Sequence, residues 1–380
     1  MIGEYPPRPT WAEIDLDALE HNLRQAQRCC LPQQRILAVV KADAYGHGAL
    51  PVTRRLVAAG VEDFAVATLD EALELRRGGI TARLMVLGGC YPGQEAAFIK
   101  YRLLAVLLDA EAAQRLSAEA LRQQQVLPVH LKVDTGMGRV GFLPDQLREF
   151  LPNLQQLAGL KVVGLMSHLA CADELDSSAT TGAQHEQFRA VQQLLASAGI
   201  VLADIHISNS AGLVGWPSEQ CNLVRPGIML YGGLPGPDFA DRLELRQVMN
   251  LRSCIAQLRT VAAGSGISYG HHFHTTRQTK VAVLPIGYAD GYNRLFSSCG
   301  QVILHGRKVP VLGRVCMDWI MLDVTDLPQV AVGDCATLLG QADGLSILGD
   351  DWAQQLGTIS YEVFCRIGSR VPRRYLPEPS

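Results

Sequence analysis

The stretch ILAVVKADAYGHG, from Ile36 to Gly48, sets the reading of this 380-residue chain. Ile36 to Val40 form an uninterrupted apolar run, the pattern of a strand buried on both faces, and Lys41 stands at its end ahead of a loop rich in Gly, Asp and Tyr. An amine leaving an apolar strand loses part of its solvation. Its pKa then falls below about 10.4, and the neutral form becomes free to attack a carbonyl. That is the chemistry of a Schiff-base lysine. One lysine at one strand end equally describes a surface cap, so the surroundings must decide.

Outward from this stretch a rhythm sets in. FAVAT (64–68), LMVLGG (84–89), LLAVLL (103–108), VHLKVD (129–134), KVVGLMSHL (161–169), DIHIS (204–208) and VRPGIMLYG (224–232) bring the apolar runs to eight. Helical patterns lie between them: a capping box at Thr68 to Glu71 with a stop at Gly78-Gly79, then 110–125, 144–157 and 185–198. Ahead of the series, Thr10 to Leu16 alternates like a half-buried strand, and Asp17 to Glu20 reads as a capping box opening a helix to about Cys30. Eight βα units within about 225 residues fit a closed (β/α)8 TIM-type barrel better than an open sheet. Barrel chemistry sits at the C-terminal strand ends, where Lys41, Asp134 to Arg139, His168, Ser208 to Ser210 and Arg225 collect. Beyond Gly232, a Pro/Gly-rich linker leads to short alternating runs. The expected organisation is a barrel over 10–242 and a mostly β domain over 243–375.

Composition narrows the partners. A net charge of -3, with no long Lys/Arg run, gives no pull toward nucleic acid or an anionic membrane, and leaves small polar metabolites. No apolar stretch reaches about 18 residues, and the start lacks the features of a signal peptide, so a cytoplasmic protein is expected. The ten cysteines (29, 30, 90, 171, 221, 254, 299, 316, 335 and 365) show no CxxC pair and no zinc spacing. They read as reduced core thiols, and no metal is expected.

Two further stretches, SNSAG (Ser208 to Gly212) and RPGI (Arg225 to Ile228), offer backbone N–H groups and a hydroxyl after the last two strands, where barrels often bind phosphate. A phosphate site beside a Schiff-base lysine points to pyridoxal phosphate. At this point the chain resembles the bacterial alanine racemases. AVVKADAYGHG, KVDTGMGR, SHLACAD, NSAG, VRPGIMLYG, ISYG, IGYADGYNR, RVCMD and SYEV follow in that family's order across both domains.

The resemblance implies a homodimer with composite sites, in which Lys41 links to the cofactor and serves as one acid/base group. Tyr269 of the partner subunit would be the other, on the opposite face of the α-carbon. It further implies that Arg225 faces the pyridine nitrogen with His168 beside it, and that Tyr45, Ser210, Gly227, Ile228 and Tyr361 hold the phosphate, next to Asn209. Arg139 would approach the ring hydroxyl and the substrate carboxylate, which Met317 also binds. Lys132 matches a lysine that relatives carry as a carbamate, and Asp318 an aspartate near the site. Asp173, Tyr288 and Arg294 match the substrate's access route. The implied activity is interconversion of L- and D-alanine, with D-alanine passing to peptidoglycan.

Competing functions are weaker. Fold-related decarboxylases of basic amino acids place a glutamate against the pyridine nitrogen, where this chain has Arg225. Single-domain barrels that only bind the cofactor lack the β domain and a counterpart of Tyr269. A cofactor-free aldolase leaves the phosphate-type loops unexplained. Substrate range stays open between alanine and serine, because an apolar pocket rejects one added hydroxyl poorly.

Overall fold

A computed structural model describes residues 8–377. Nine strands lead the chain: β1 (Thr10–Asp15), β2 (Arg35–Val39), β3 (Asp63–Val66), β4 (Arg83–Val86), β5 (Leu104–Leu107), β6 (Leu127–Lys132), β7 (Leu160–Met166), β8 (Asp204–His206) and β9 (Leu223–Val224). The last eight form one parallel sheet in the order β8-β7-β6-β5-β4-β3-β2-β9. Across the seam between β8 and β9, Asn222 N–H donates to the Ile205 carbonyl at 3.1 Å and Arg225 N–H to that of Ser208 at 3.1 Å. These bonds draw the sheet into the expected barrel. The strands form here because short unbroken apolar runs are stable only when covered on both faces: Phe64, Ala65, Val66, Ala105, Val106 and Leu107 are wholly buried between the barrel interior and the outer helices.

The helices follow their sequence signals with shifts at the ends. Thr68 and Glu71 form the expected box over Leu69–Arg77. The first helix, Leu16–Cys29, is capped by Asp15 rather than Asp17: its carboxylate accepts from the N–H groups of Asp17 (2.9 Å) and Ala18 (2.8 Å). Strand β1 runs directly into the helix, so its last residue is the cap. Ala110–Arg122 and Pro144–Leu154 stop short of the expected ends, and Ser178–Ser197 begins ahead of His185.

Two expectations are corrected. The first is the boundary at residue 10, because β1 lies in the second domain's sheet. It pairs antiparallel with Met249–Cys254 and parallel with Arg373–Leu376. Its alternating pattern, buried on one face, suits that mostly antiparallel sheet and not a barrel strand covered on both faces. The second concerns the thiols. Cys254 and Cys335 are joined in a disulfide between neighbouring antiparallel strands, 81 residues apart in sequence and so invisible to a spacing search, while Cys299 and Cys365 are exposed. Among the described residues no helix is long and apolar enough to cross a membrane.

Candidate active site

Lys41 leaves β2 into a backbone that sequence rules disfavour. Ala42, Asp43, Ala44 and Tyr45 take φ of 52, 54, 53 and 54°, a turn of left-handed helix without a glycine. Each such residue costs about 1–2 kcal/mol. The turn persists because its polar groups are tied down from several sides. Ala42 N–H donates to Glu71 Oε1 at 2.7 Å, Ala49 N–H to Asp43 Oδ1 at 2.6 Å, and the Gly46 carbonyl accepts from Arg373 Nε (3.0 Å) and Nη2 (2.9 Å). Thus Glu71, the residue that completes the helix cap at Thr68, also holds the residue after Lys41.

The turn places Lys41 in a cavity of about 300 Å³ at the barrel mouth, lined by Tyr45, Lys132, Arg139, His168, Asn209, Ser210, Arg225, Gly227, Ile228 and Tyr361. Burial lowers the Lys41 pKa, and the positive charge of Arg139 lowers it further against the pull of Glu71. Ten barrel residues expected in the site, together with Tyr361 of the second domain, therefore line one space. Arg225 is buried in it and donates to four acceptors: the carbonyls of Ser167 (2.7 Å) and Ile207 (2.9 Å), His206 Nδ1 (2.9 Å) and His168 Nδ1 (3.2 Å). Burial brings its pKa down to about 10, so it stays charged at neutral pH. Burial and then the Arg225 charge push His168 down to about 2, leaving a neutral ring that accepts from Arg225.

An anion cradle forms one end of the cavity. A Cβ at position 227 would meet Tyr45 Oη at 2.4 Å, so only glycine lets that hydroxyl approach the backbone. Gly227 N–H donates to Ser210 Oγ at 2.9 Å, which couples the two segments but commits a donor expected to face the phosphate. Ile228 opens a short 3-10 helix, whose first N–H has no intrahelical acceptor. Asn209 lines the space while its Oδ1 caps the next helix through Gly212 N–H at 2.8 Å. Opposite, Asp134 Oδ1 accepts from the N–H groups of Gly136, Met137 and Gly138, and Oδ2 from Arg139 N–H, shaping the loop that presents Arg139. No cluster of three or more metal-ligating side chains occurs among the described residues.

Lys132 is buried beneath this loop, and its Nζ donates a long 3.4 Å bond to the Val133 carbonyl. Burial, then the charge of Arg225, lowers its pKa from 10.5 to about 7. Between those values the unfolded chain binds the proton and the folded chain does not, so the stability contribution of this group rises with pH across that window. In carbon-dioxide-free buffer, Lys132→Met should raise the melting temperature near pH 7 by several degrees, and the gain should vanish by pH about 10.5. A gain that does not change with pH would argue against a buried amine as its cause.

Apart from Tyr361, the second-domain residues lie away from the cavity. Tyr269 is 69% exposed and lines a separate apolar hollow of about 920 Å³ with Ile267, Val281, Trp319 and Met321. Met317 is exposed nearby, and Asp318 accepts from Arg370 Nη2 at 2.6 Å. Tyr288 and Arg294 line another groove, while Asp173 sits close enough to Tyr361 to raise its pKa after burial. Within one chain these residues do not meet Lys41's cavity. Glu71, Arg373 and His206 were absent from the expected set; a polar residue inside an apolar strand run was the available signal for His206.

The model of the "Alanine racemase, N-terminal domain" matches residues 14–235 and that of the "Alanine racemase, C-terminal domain" residues 248–375. The alanine racemase of Halothermothrix orenii is 44% identical over 97% of both chains, and that of Geobacter sulfurreducens 45% identical over 97% of both. The solved alanine racemase of Clostridium difficile 630 superposes with a TM-score of 0.92 at 38% identity, covering 98% of this chain and 97% of that one. With matching models over both domains and relatives of this identity along nearly its whole length, the chain belongs to the alanine racemase family.

Proposed function

We propose that the chain interconverts L-alanine and D-alanine with pyridoxal 5'-phosphate at the barrel mouth, as a homodimer. The observation that carries this reading is a lysine of lowered pKa in one cavity with a charged arginine held by four hydrogen-bond acceptors and a cradle of hydroxyls. The residues fit the cofactor. Tyr45, Ser210, Tyr361 and the Ile228 N–H would hold the phosphate, Arg225 would face the ring nitrogen, and Lys41 would carry the covalent link. When bound, the cofactor supplies an electron sink that acidifies the α-proton of an amino acid. Arg139 binds the substrate carboxylate, aided by Met317 of the partner subunit and oriented by a carbamate on Lys132, whose pKa of about 7 leaves about half of the amine neutral at pH 7.

Inversion needs a proton group on each face. Lys41 serves one face, and Tyr269 of the partner subunit serves the other. The dimer is supported by the exposed apolar patch of Tyr269, Met317 and Trp319 beside the 920 Å³ hollow, the kind of surface that marks an interface. D-alanine formed this way would feed peptidoglycan synthesis in the cytoplasm.

The test is an assay of purified, cofactor-loaded protein with L- and D-alanine, serine, lysine and arginine, with cofactor absorbance read before and after borohydride. Equal mixtures from either alanine enantiomer, slower turnover of serine and a reducible link to Lys41 are expected. Loss of carbon dioxide from lysine or arginine without racemisation would replace this reading by a decarboxylase. If Tyr269 serves the L-enantiomer, Tyr269→Ala should slow α-proton exchange from L-alanine about 100-fold or more while sparing exchange from D-alanine. Deuterium incorporation followed by NMR separates the two; equal losses would reject the assignment.

A further inference from the structure

Beneath Arg225 a line of buried polar side chains descends the barrel interior from the mouth to the floor. His206, at the end of β8, places Nδ1 2.9 Å from Arg225 Nη1. Its Nε2 lies 2.8 Å from Nδ1 of His130 on β6, and His130 Nε2 lies 3.2 Å from Asp204 Oδ2 at the start of β8. Both rings are wholly buried. At the floor Asp204 pairs with Arg83 at 2.8 Å and with Arg35, and both arginines also pair with Asp63. Position 164 must be glycine for this line to exist, because a Cβ there would meet the His130 ring at 2.4 Å.

The order of protons along the line has one solution. A guanidinium only donates, so His206 Nδ1 accepts. Burial holds both rings neutral, with the charge of Arg225 adding to the effect on His206, while Asp204 opposes it at His130. A neutral ring that accepts at Nδ1 carries its proton on Nε2. His206 therefore donates to His130 Nδ1, and His130 in turn donates from Nε2 to Asp204. Reading upward from the carboxylate gives the same assignment. The opposite tautomer of His206 would set N–H against N–H at Arg225.

We infer that Asp204 and His130 are positioning residues: through a one-way chain of hydrogen bonds they fix the tautomer of His206, and so hold Arg225 as a rigid donor facing the cofactor's ring nitrogen. The inference rests on the reading of Arg225 given above. Asp204 keeps its charge at the floor because hydrogen bonds from His130 and Arg83 outweigh the cost of burial. A fixed charge outside the mouth thus sets the orientation of a group inside it, as outer partners orient inner ones at other polar sites.

The test has two independent readouts. In the 15N-labelled apoprotein, long-range proton–nitrogen correlation spectra should show His206 and His130 both protonated at Nε2 and bare at Nδ1. His130→Leu removes the acceptor for His206 Nε2–H and should shift His206 toward the Nδ1–H form. His130→Gln, whose amide can accept from His206 and donate to Asp204, should restore the native tautomer. In the loaded enzyme kcat should fall about tenfold or more in His130→Leu, with KM little changed, and recover in His130→Gln. The native spectrum alone overturns the inference if either ring is protonated at Nδ1, so it stands tested even if a variant fails to fold. An unchanged tautomer in His130→Leu, a changed tautomer with native kcat, or no recovery in a folded His130→Gln would each overturn it as well. Failure of the racemase reading would show instead as a native protein that does not racemise alanine, whatever its histidine spectrum.

Discussion

Mixing a Lys41→Ala chain with a Tyr269→Phe chain, each nearly inactive alone, should restore about one quarter of native racemase activity. Each single variant lacks one of two acid/base groups, a loss of about 100- to 10,000-fold. In random exchange half of the dimers are hybrids. Each hybrid joins one doubly damaged site to one site whose lysine and tyrosine are both native. The rise from near zero to about a quarter is large because the two groups lie on different domains, and because Tyr269 is exposed away from Lys41's cavity. Differently tagged subunits would establish exchange. No recovery in proven hybrids would show that one chain completes its own site.

Arg225→Glu should lower racemisation about 100-fold, equivalent to about 3 kcal/mol in the barrier. It should also increase the fraction of turnovers that end in pyruvate. The native guanidinium donates to two carbonyls and two imidazoles. A carboxylate there would face the same carbonyl oxygens, lose every one of those bonds and favour a protonated ring nitrogen. The stronger electron sink gives the proton more time to return to the wrong carbon, so pyruvate accumulates. Chiral chromatography and a pyruvate-coupled assay measure the two outcomes separately, and cofactor absorbance checks binding. A cofactor-loaded variant that racemises at the native rate without extra pyruvate would reduce Arg225 to a structural brace.

The barrel was legible because most of its strands are short, largely apolar runs, and much of its polar punctuation falls at the strand ends where Lys41, His168 and Arg225 stand. What escaped depends on contacts between distant residues. Glu71 reaches Ala42 across 29 residues, His130 reaches His206 across 76, and Arg373 reaches Gly46 across 327. Nothing local to either partner marks such a bond. The left-handed turn runs against local rules outright, since Ala42 to Tyr45 include no glycine, and only tertiary hydrogen bonds make it tenable. Tyr269 was nameable from its ISYG motif, but its distance from the cavity in a single chain is a property of the fold.

The membership of β1 in the second sheet bears on how the chain is made. At about 5–20 residues per second, Thr10–Asp15 leaves the ribosome roughly 20 to 70 s before Arg373–Leu376, one of the two strands it will lie between. The whole barrel can therefore emerge and close while β1 still waits with both edges unpaired. Unpaired edges invite pairing with the wrong chain, most of all where neighbouring ribosomes carry the same nascent sequence. A message that stalls or is cut near the end of the barrel would release a domain trailing that strand with no partner to receive it. Pairing of β1 on both of its edges therefore waits for Arg373–Leu376, long after the barrel's own strands can have met.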